Sequence, residues 1–346
     1  MKKYFLAFVL LSFVLCNLGC KKTPTEPPID NLQPGRRDYV WTVDTLNFYD
    51  TMLRLWGSSP TDVWATTRGN FYESIFHFDG NKWSTDGIFR LLLPYSIWGF
   101  ARNDIYIGGS GGKIWHYDGV SWSQIEVLTK DGHNDIVFDN MWGETPNDFY
   151  AFGAYPDDQL LANNSVIAHF INNNWTMLNT DGLQGIVEHL YKNKTDQLIY
   201  LQVIKFSHTY DSTFIYKYEG EKYTKLYSTI WAKTWASISL INNEVYFVLE
   251  NEIAKRINNQ FQTVLKIDNP NFYECIWGRN SKDIFLLMTD GLTHYNGSDM
   301  EYLFHFNKSG TQIYGAALFE NEVFFLVNES QTNLSLIYHG KLNKGE

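Results

Sequence analysis

Charged side chains are scarce in this sequence of 346 residues: only 19% are Asp, Glu, Lys or Arg, whereas 17% are aromatic. Intrinsically disordered chains show the opposite balance, so the composition excludes disorder. Basic residues are also outnumbered by acidic ones, 28 to 38, which gives a net charge of −10. Because no positive surplus is present to neutralise phosphates, the composition argues against nucleic-acid binding.

Helical periodicity and the common catalytic motifs are missing as well. No apolar period of 3.6 residues persists over a useful length, and the chain lacks a Gly-rich phosphate loop, HExxH, CxxC and GxSxG. Of three cysteines, Cys16 and Cys20 lie near the N-terminus, so no disulfide is expected within the mature chain. Cys275 lies in a strand pattern and is predicted to be a small core residue. We therefore predict no enzymatic activity and no cofactor.

The N-terminus carries the pattern of an export signal. Lys2 and Lys3 precede an apolar run at 4–18, which is shorter than the ~20 residues that cross a membrane. Gly19-Cys20 and a Pro-rich polar stretch follow, and the whole resembles a bacterial lipoprotein signal. The resemblance implies a signal peptide at 1–19, lipidation of Cys20, an extended tether at 20–38 and a place at the cell envelope, at the outer membrane. Ordinary cleavage to a secreted or periplasmic protein is the alternative.

Internal repeats dominate the rest of the chain. Segments that begin at Leu55, Ile97, Met141 and Ile276 each contain Trp-Gly and, six residues after the Trp, an Asp. Weaker copies at 197–201, 243–248 and 321–326 keep only the second half. An aromatic anchor recurs every 39 to 50 residues, at Trp64, Tyr106, Tyr150, Tyr200, Tyr246, Phe285 and Phe324. Each unit is predicted to hold four short strands, which is typical of a propeller blade. The sequence thus predicts an all-β, seven-bladed β-propeller over 39–346.

The two ends of the repeat region complement each other. The seventh unit lacks its aromatic-led outer strand, whereas segment 39–46 has the character of that strand, with Trp41 in the place of Trp83 in the first unit. We predict that 39–46 pairs beside the last blade, because this closure removes an exposed sheet edge.

The repeats resemble the Trp-Gly-x-x-x-x-Asp propeller repeats of envelope lipoproteins from Bacteroidota and related bacteria. The resemblance covers about 39–346, with the motif clear in four units and faded in three. It implies the propeller fold and an envelope location. It implies little about activity, because propellers host many functions.

Two polar residue types recur in register with the motif. The motif carboxylates are expected to bond turn amides; they are Asp62, Asp104, Asp148 and Asp283. Four histidines recur in the third strand of different units; they are His77, His116, His169 and His294. Because each histidine belongs to its own blade, the four cannot meet at one zinc ion. Structural roles are predicted for both sets.

The connections between second and third strands, and those between blades, vary in length and emerge on one face. Binding residues concentrate on such loops. The inter-blade loop at 227–237 holds Trp231 and Trp235, which could stack on a sugar, anchor a protein partner or simply pack the fourth blade. The other candidate binding residues are Arg68, Phe71, Tyr72, Tyr155, Asp157, Asp158 and Tyr210. Asp157, Asp158, Asn163 and Asn164 offer oxygens that could hold calcium.

Taken together, these features predict a monomeric, non-catalytic module that binds or scaffolds an envelope protein. One alternative is a carbohydrate-binding surface propeller. Another is a glycan-active hydrolase or lyase, which would need a carboxylate converging on the central channel, such as Asp157 or Asp158, and a paired acid about 5–10 Å away.

Overall fold

A computed structural model describes residues 32–46, 51–69, 71–231 and 236–343. Its 28 strands form seven four-stranded antiparallel sheets. The predicted all-β, seven-bladed propeller is confirmed. No helix able to span a membrane occurs in these segments.

The first strand, β1 (Tyr39–Leu46), precedes six blades that are each continuous in sequence. Blade 1 holds β2 (Met52–Ser59), β3 (Asp62–Thr67), β4 (Ile75–Phe78) and β5 (Trp83–Ser84). Blade 2 holds β6 (Pro94–Ala101), β7 (Asp104–Gly109), β8 (Lys113–Tyr117) and β9 (Trp122–Val127). Blade 3 holds β10 (Val137–Thr145), β11 (Asp148–Tyr155), β12 (Asn164–Ile171) and β13 (Asn174–Met177).

Blades 4 to 6 repeat the same order from the inner strand outward. Blade 4 holds β14 (Ile186–Lys192), β15 (Ile199–Lys205), β16 (Ser212–Glu219) and β17 (Lys222–Ile230). Blade 5 holds β18 (Ala236–Ile241), β19 (Glu244–Leu249), β20 (Glu252–Ile257) and β21 (Gln260–Lys266). Blade 6 holds β22 (Phe272–Asn280), β23 (Asp283–Met288), β24 (Gly291–Tyr295) and β25 (Met300–His305).

Blade 7 joins the two ends of the propeller. It consists of β26 (Thr311–Leu318), β27 (Glu322–Glu329) and β28 (Leu334–Leu342), with β1 as its outer strand. The pairing of β1 with β28 runs from Tyr39 opposite Leu342 to Leu46 opposite Ser335. Trp41 packs edge-on against Phe304 of blade 6, with ring centroids 5.0 Å apart. The predicted closure by 39–46 is confirmed.

The Trp-Gly motif packs one blade against the next. A Cβ added at Gly99 would lie 2.6 Å from Cη2 of Trp56, so glycine is needed where the indole of blade 1 meets blade 2. The inner strands continue beyond these tryptophans, since β2 runs past Trp56 to Ser59. Asn-Asn turns complete several hairpins with positive φ, as at Asn242 and Asn243.

The recurrent carboxylates and histidines are partners of each other. His77 Nε2–H donates to Asp62 Oδ1 at 2.8 Å, and the same contact recurs in blades 2, 3 and 6. Burial opposes ionisation of Asp62, but hydrogen bonds from His77, Ser58 and Trp64 outweigh it and lower its pKa. The expectation that these carboxylates bond turn amides is therefore corrected, since the structure pairs them with imidazoles. Blade 7 keeps the arrangement with Glu322 as the acid.

The pair in blade 6 is covered by the segment before β1. A Cβ at Gly35 would lie 2.6 Å from Asp283 Oδ1, and Arg37 donates to His294 Nδ1 at 3.3 Å. The side chain of His294 is consequently 0% exposed, against 28% for His77 in blade 1. Residues 34–38, part of the predicted tether, thus contact the sixth blade.

Candidate functional site

The inner strands carry bulges near the end from which the variable loops emerge. Register shifts occur there in six of the seven described inner strands; they are β2, β6, β10, β14, β22 and β26. The inserted residues include Tyr95, Asp139 and Glu188. A bulge redirects side chains and is frequent beside functional sites. Here the bulges gather polar groups from separate blades at the mouth of the central channel.

An ion pair crosses this channel mouth. Arg54 of blade 1 donates through Nη2 to Glu188 Oε1 of blade 4 at 2.9 Å and to the carbonyl oxygen of Asp139 in blade 3 at 2.9 Å. Both charged side chains are partly buried, with 21% and 25% of their surface exposed. The arginine therefore ties three blades together at the loop end of the channel.

The carboxyl group of Asp139 has a raised pKa. Burial, together with the neighbouring Glu188, raises its pKa to about 7, although Arg54 and Arg68 oppose this. A Cβ at Gly153 would lie 2.5 Å from Asp139 Oδ2, so the carboxyl occupies the space above that glycine. Asp139 and Glu188 are thus two carboxyl groups at the channel mouth.

His189 follows Glu188 on β14, and both members of the ion pair act electrostatically on it. Its Nδ1 is 3.3 Å from Asn140 Nδ2 and 3.2 Å from the hydroxyl oxygen of Tyr191. Both groups can donate to Nδ1, which leaves the ring proton on Nε2. Burial lowers the pKa of His189 to about 4, so the ring is neutral at pH 7.

A second feature of the loop face is an apolar patch on blade 1 and the connection to blade 2. We call it the aromatic patch; it consists of Phe71, Tyr72, Ile88, Phe89 and Leu91, which are 38–60% exposed. The ring of Phe89 lies 5.8 Å from that of Phe71 and 5.1 Å from that of Tyr72. Large apolar side chains are thus clustered in solvent, which is typical of interaction sites.

Hydrogen bonds and an ion pair hold the loops that carry the aromatic patch. The backbone N–H of Arg90 donates to the carbonyl oxygen of Phe71 at 2.9 Å, and its buried guanidinium pairs with Asp86 at 2.5 Å. Lys113 donates to the carbonyl oxygen of Leu91 at 2.5 Å. These contacts fix the loop backbones on which the apolar side chains are presented.

The predicted binding residues fall into two groups on the loop face. Phe71 and Tyr72 belong to the aromatic patch, and the guanidinium of Arg68 lies 5.6 Å from the ring centre of Tyr95. Tyr155, Asp157, Asp158 and Tyr210 lie on blades 3 and 4. There Tyr155 stacks on His133 with centroids 4.4 Å apart, while Tyr210 is 63% exposed.

Asp157 organises its own loop. Its Oδ1 accepts from the backbone N–H groups of Gln159 and Leu161, and Oδ2 accepts from Asn163 Nδ2 at 2.9 Å. Asp158 is exposed beside it. No group of three or more His, Cys, Asp or Glu that could hold a metal occurs in the described part of the chain. Calcium at this loop stays a prediction.

The inter-blade loop that contains Trp231 is shorter than the predicted range of 227–237. Residues 227–230 complete β17 and 236–237 begin β18. Trp231 is partly buried, and its indole N–H donates to Thr213 Oγ1 at 2.7 Å. Trp235, like Cys20 and the signal peptide, lies outside the described residues.

Sequence reasoning missed the channel residues, although a signal for them exists. Asp139 and Glu188 lie three residues before the Trp or Tyr of the repeat motif, and Asn140 and His189 lie two before it. The residue type at these positions differs from blade to blade, whereas the motif itself is kept. Such variation beside a repeated structural motif is typical of positions that serve a role specific to one blade.

Comparison with known proteins supports the propeller fold and gives little information on function. No protein-family model and no curated protein matches the chain. A solved structure of YCF48 bound to D1 peptide is 15% identical, with a TM-score of 0.62 over 89% of this chain and 99% of that one. Virginiamycin B lyase from Staphylococcus aureus is 12% identical, with a TM-score of 0.63 over 88% and 100% of the two chains. The WD40 β-propeller domain of Doa1 is 10% identical, with a TM-score of 0.55 over 88% and 98%. At these identities the likeness concerns the propeller fold alone.

Proposed function

We propose that this chain is a non-catalytic, protein-binding propeller of the bacterial cell envelope, which holds a partner protein on the aromatic patch. The observation that carries the proposal is the exposure of Phe71, Tyr72, Ile88, Phe89 and Leu91 at one site on the variable-loop face. Aromatic side chains dominate the energetics of protein interfaces, and here they stand on braced loops, so little order is lost on binding.

A partner suited to this surface presents apolar side chains on a segment that can lie between the two loops. YCF48 bound to D1 peptide is an example of a propeller of similar fold that holds a peptide. Propellers also include a lyase and a WD40 domain, so the fold by itself does not decide between binding and catalysis.

The patch is tested by cross-linking in intact cells, followed by purification through a C-terminal tag. Phe89→Ser removes the ring that contacts both Phe71 and Tyr72. Val264→Ser is the matched control, because Val264 is an aliphatic residue that is 48% exposed on β21 of blade 5. We expect one reproducible partner that is lost with Phe89→Ser and kept with Val264→Ser. A partner retained by both variants, or no partner for the folded protein, contradicts the proposal.

The envelope location is part of the same proposal and is tested separately. Its support is the signal pattern that ends at Gly19-Cys20. Acyl chains on Cys20 would anchor the protein, since each buried methylene contributes about 0.8 kcal/mol. We expect a fatty-acid analogue to label the parent protein and not Cys20→Ser, and the variant to leave the membrane fraction. Equal labelling of both proteins would remove the anchor from the proposal.

A further inference from the structure

Inner strands of blades 2, 4, 5, 6 and 7 line a cavity of about 350 Å³, whose walls include His189, the residue that follows Glu188 in sequence. In the repeat, the inner-strand residue opposite the aromatic anchor is large in five blades; it is Trp56, Trp98, Trp142, Tyr191 or Trp277. Blade 5 has Ser239 at this position, opposite Tyr246. Ser239 lines the cavity together with Trp277 and Tyr191. The space that an indole fills in other blades is therefore open beside blade 5.

The walls of the cavity are polar in part. Among the lining residues that the structure describes, none is Asp, Glu, Lys or Arg, and His189 is neutral at pH 7 because burial lowers its pKa to about 4. Aromatic side chains form several walls, and Ser237 and Ser239 add hydroxyl groups. The volume is within the range of small-molecule sites, about 300–1,000 Å³.

The cavity also offers hydrogen-bond donors. Because Nδ1 of His189 faces Asn140 and Tyr191, its proton is on Nε2, for which the described residues supply no acceptor. The buried indole N–H of Trp98, in another wall, likewise has no partner there. A charged ligand would meet no counter-charge among the described lining residues, and burying an unpaired charge is costly. A neutral ligand with oxygen acceptors fits the lining better.

We propose that this cavity binds one neutral sugar unit, which stacks on the aromatic walls and accepts a hydrogen bond from His189 Nε2. Apolar walls with a few placed polar groups suit a sugar, because its C–H faces and its hydroxyls need different partners. This site is separate from the aromatic patch and does not depend on the protein-binding proposal.

Ligand-observed NMR on the purified protein tests the site. The probes are D-glucose, D-galactose, D-mannose and N-acetylglucosamine at millimolar concentration, with glucuronate as a charged analogue and indole as an aromatic one. Ser239→Trp places in blade 5 the residue that most other blades carry and fills the cavity. Ala316→Leu, also in the lining, adds a smaller side chain to the cavity. It serves as the test variant if Ser239→Trp does not fold. The matched control is Ser123→Trp on exposed β9.

We expect at least one neutral sugar to bind, with affinity reduced about tenfold or more by Ser239→Trp or Ala316→Leu, which is about 1.4 kcal/mol. The Ser123→Trp control should bind as the parent protein does, and glucuronate should bind more weakly than glucose. The proposal is overturned when no neutral sugar binds, when binding survives both cavity variants, or when indole or glucuronate is preferred.

Discussion

Asp139→Asn is the substitution that most directly tests the electrostatics of the channel mouth. In the folded protein, burial and Glu188 raise the pKa of Asp139 from its ordinary value of 3.8 to about 7. Between these two values the folded state holds a proton that the unfolded state has released. Stability is therefore lost as pH rises through this window, and the loss is complete above about pH 7. Asparagine cannot ionise and removes this dependence.

The magnitude follows from the same two pKa values. At about 1.4 kcal/mol per pKa unit, the difference between 3.8 and about 7 corresponds to about 4 kcal/mol. Roughly two thirds of it develops between about pH 5 and about pH 8. Relative to the parent protein, the variant should thus gain about 3 kcal/mol of stability across that range. His189 titrates with the opposite sign in acid, but it is common to both proteins and cancels in the difference.

Urea unfolding followed by tryptophan fluorescence at several pH values between about 5 and about 8 measures this difference. Asp118→Asn is the control, because backbone N–H groups of Ser121 and Val120 lower the pKa of Asp118 and keep it ionised throughout the range. The difference between that variant and the parent should stay constant with pH. A constant difference for Asp139→Asn as well would show that Asp139 ionises normally and would refute the reasoning.

Three further predictions concern the frame of the propeller, each measured as the free energy of unfolding in urea. His294→Ala should cost about 2–4 kcal/mol, because it removes a hydrogen bond from a fully buried pair. His77→Ala removes the same contact nearer the surface and should cost about 1 kcal/mol or less. Equal losses of stability in the two variants would contradict the role of burial. Gly143→Ala should cost about 2 kcal/mol or more, since the new Cβ would lie 2.1 Å from Phe149 Cβ, while Gly315→Ala, with neighbours no nearer than 3.5 Å, should be close to neutral. Trp41→Ala should cost about 3 kcal/mol by removing the packing of β1 on blades 6 and 7; an unchanged stability would mean that β1 does not hold the ring closed.

The repeat pattern predicted the frame of this protein well for a physical reason. Each blade must pack against the next, so Trp, Gly and the aromatic anchor recur wherever that packing recurs. Even the faded units keep the anchor, as Tyr200 and Tyr246 do, and both are fully enclosed between blades. The closure by β1 was predictable because an unpaired sheet edge demands a partner.

The candidate sites were predictable only in part. Phe71 and Tyr72 were identified from their loop, but Phe89 comes from a different connection and meets them only in the folded chain. Asp139 and Glu188 were not identified, because their place relative to the motif does not show that bulges bring the two residues together at the channel mouth. Sequence spacing reports contacts within a blade, whereas contacts across the channel depend on how seven blades close.

The pairing of β1 with β28 has a consequence for how the chain is made. β1 can pair only after β28, the last strand of the propeller, has been synthesised. The separation is large: Arg36, just before β1, donates a hydrogen bond to the carbonyl oxygen of Asn343, 307 positions away. During that interval β1 has no strand to pair with, and contacts so distant in sequence form slowly. A chain truncated before Leu334 leaves open edges on both β27 and β1, where other chains can add. Only complete chains can bury both edges, so truncated products are expected to aggregate or to be degraded instead of persisting as partial propellers.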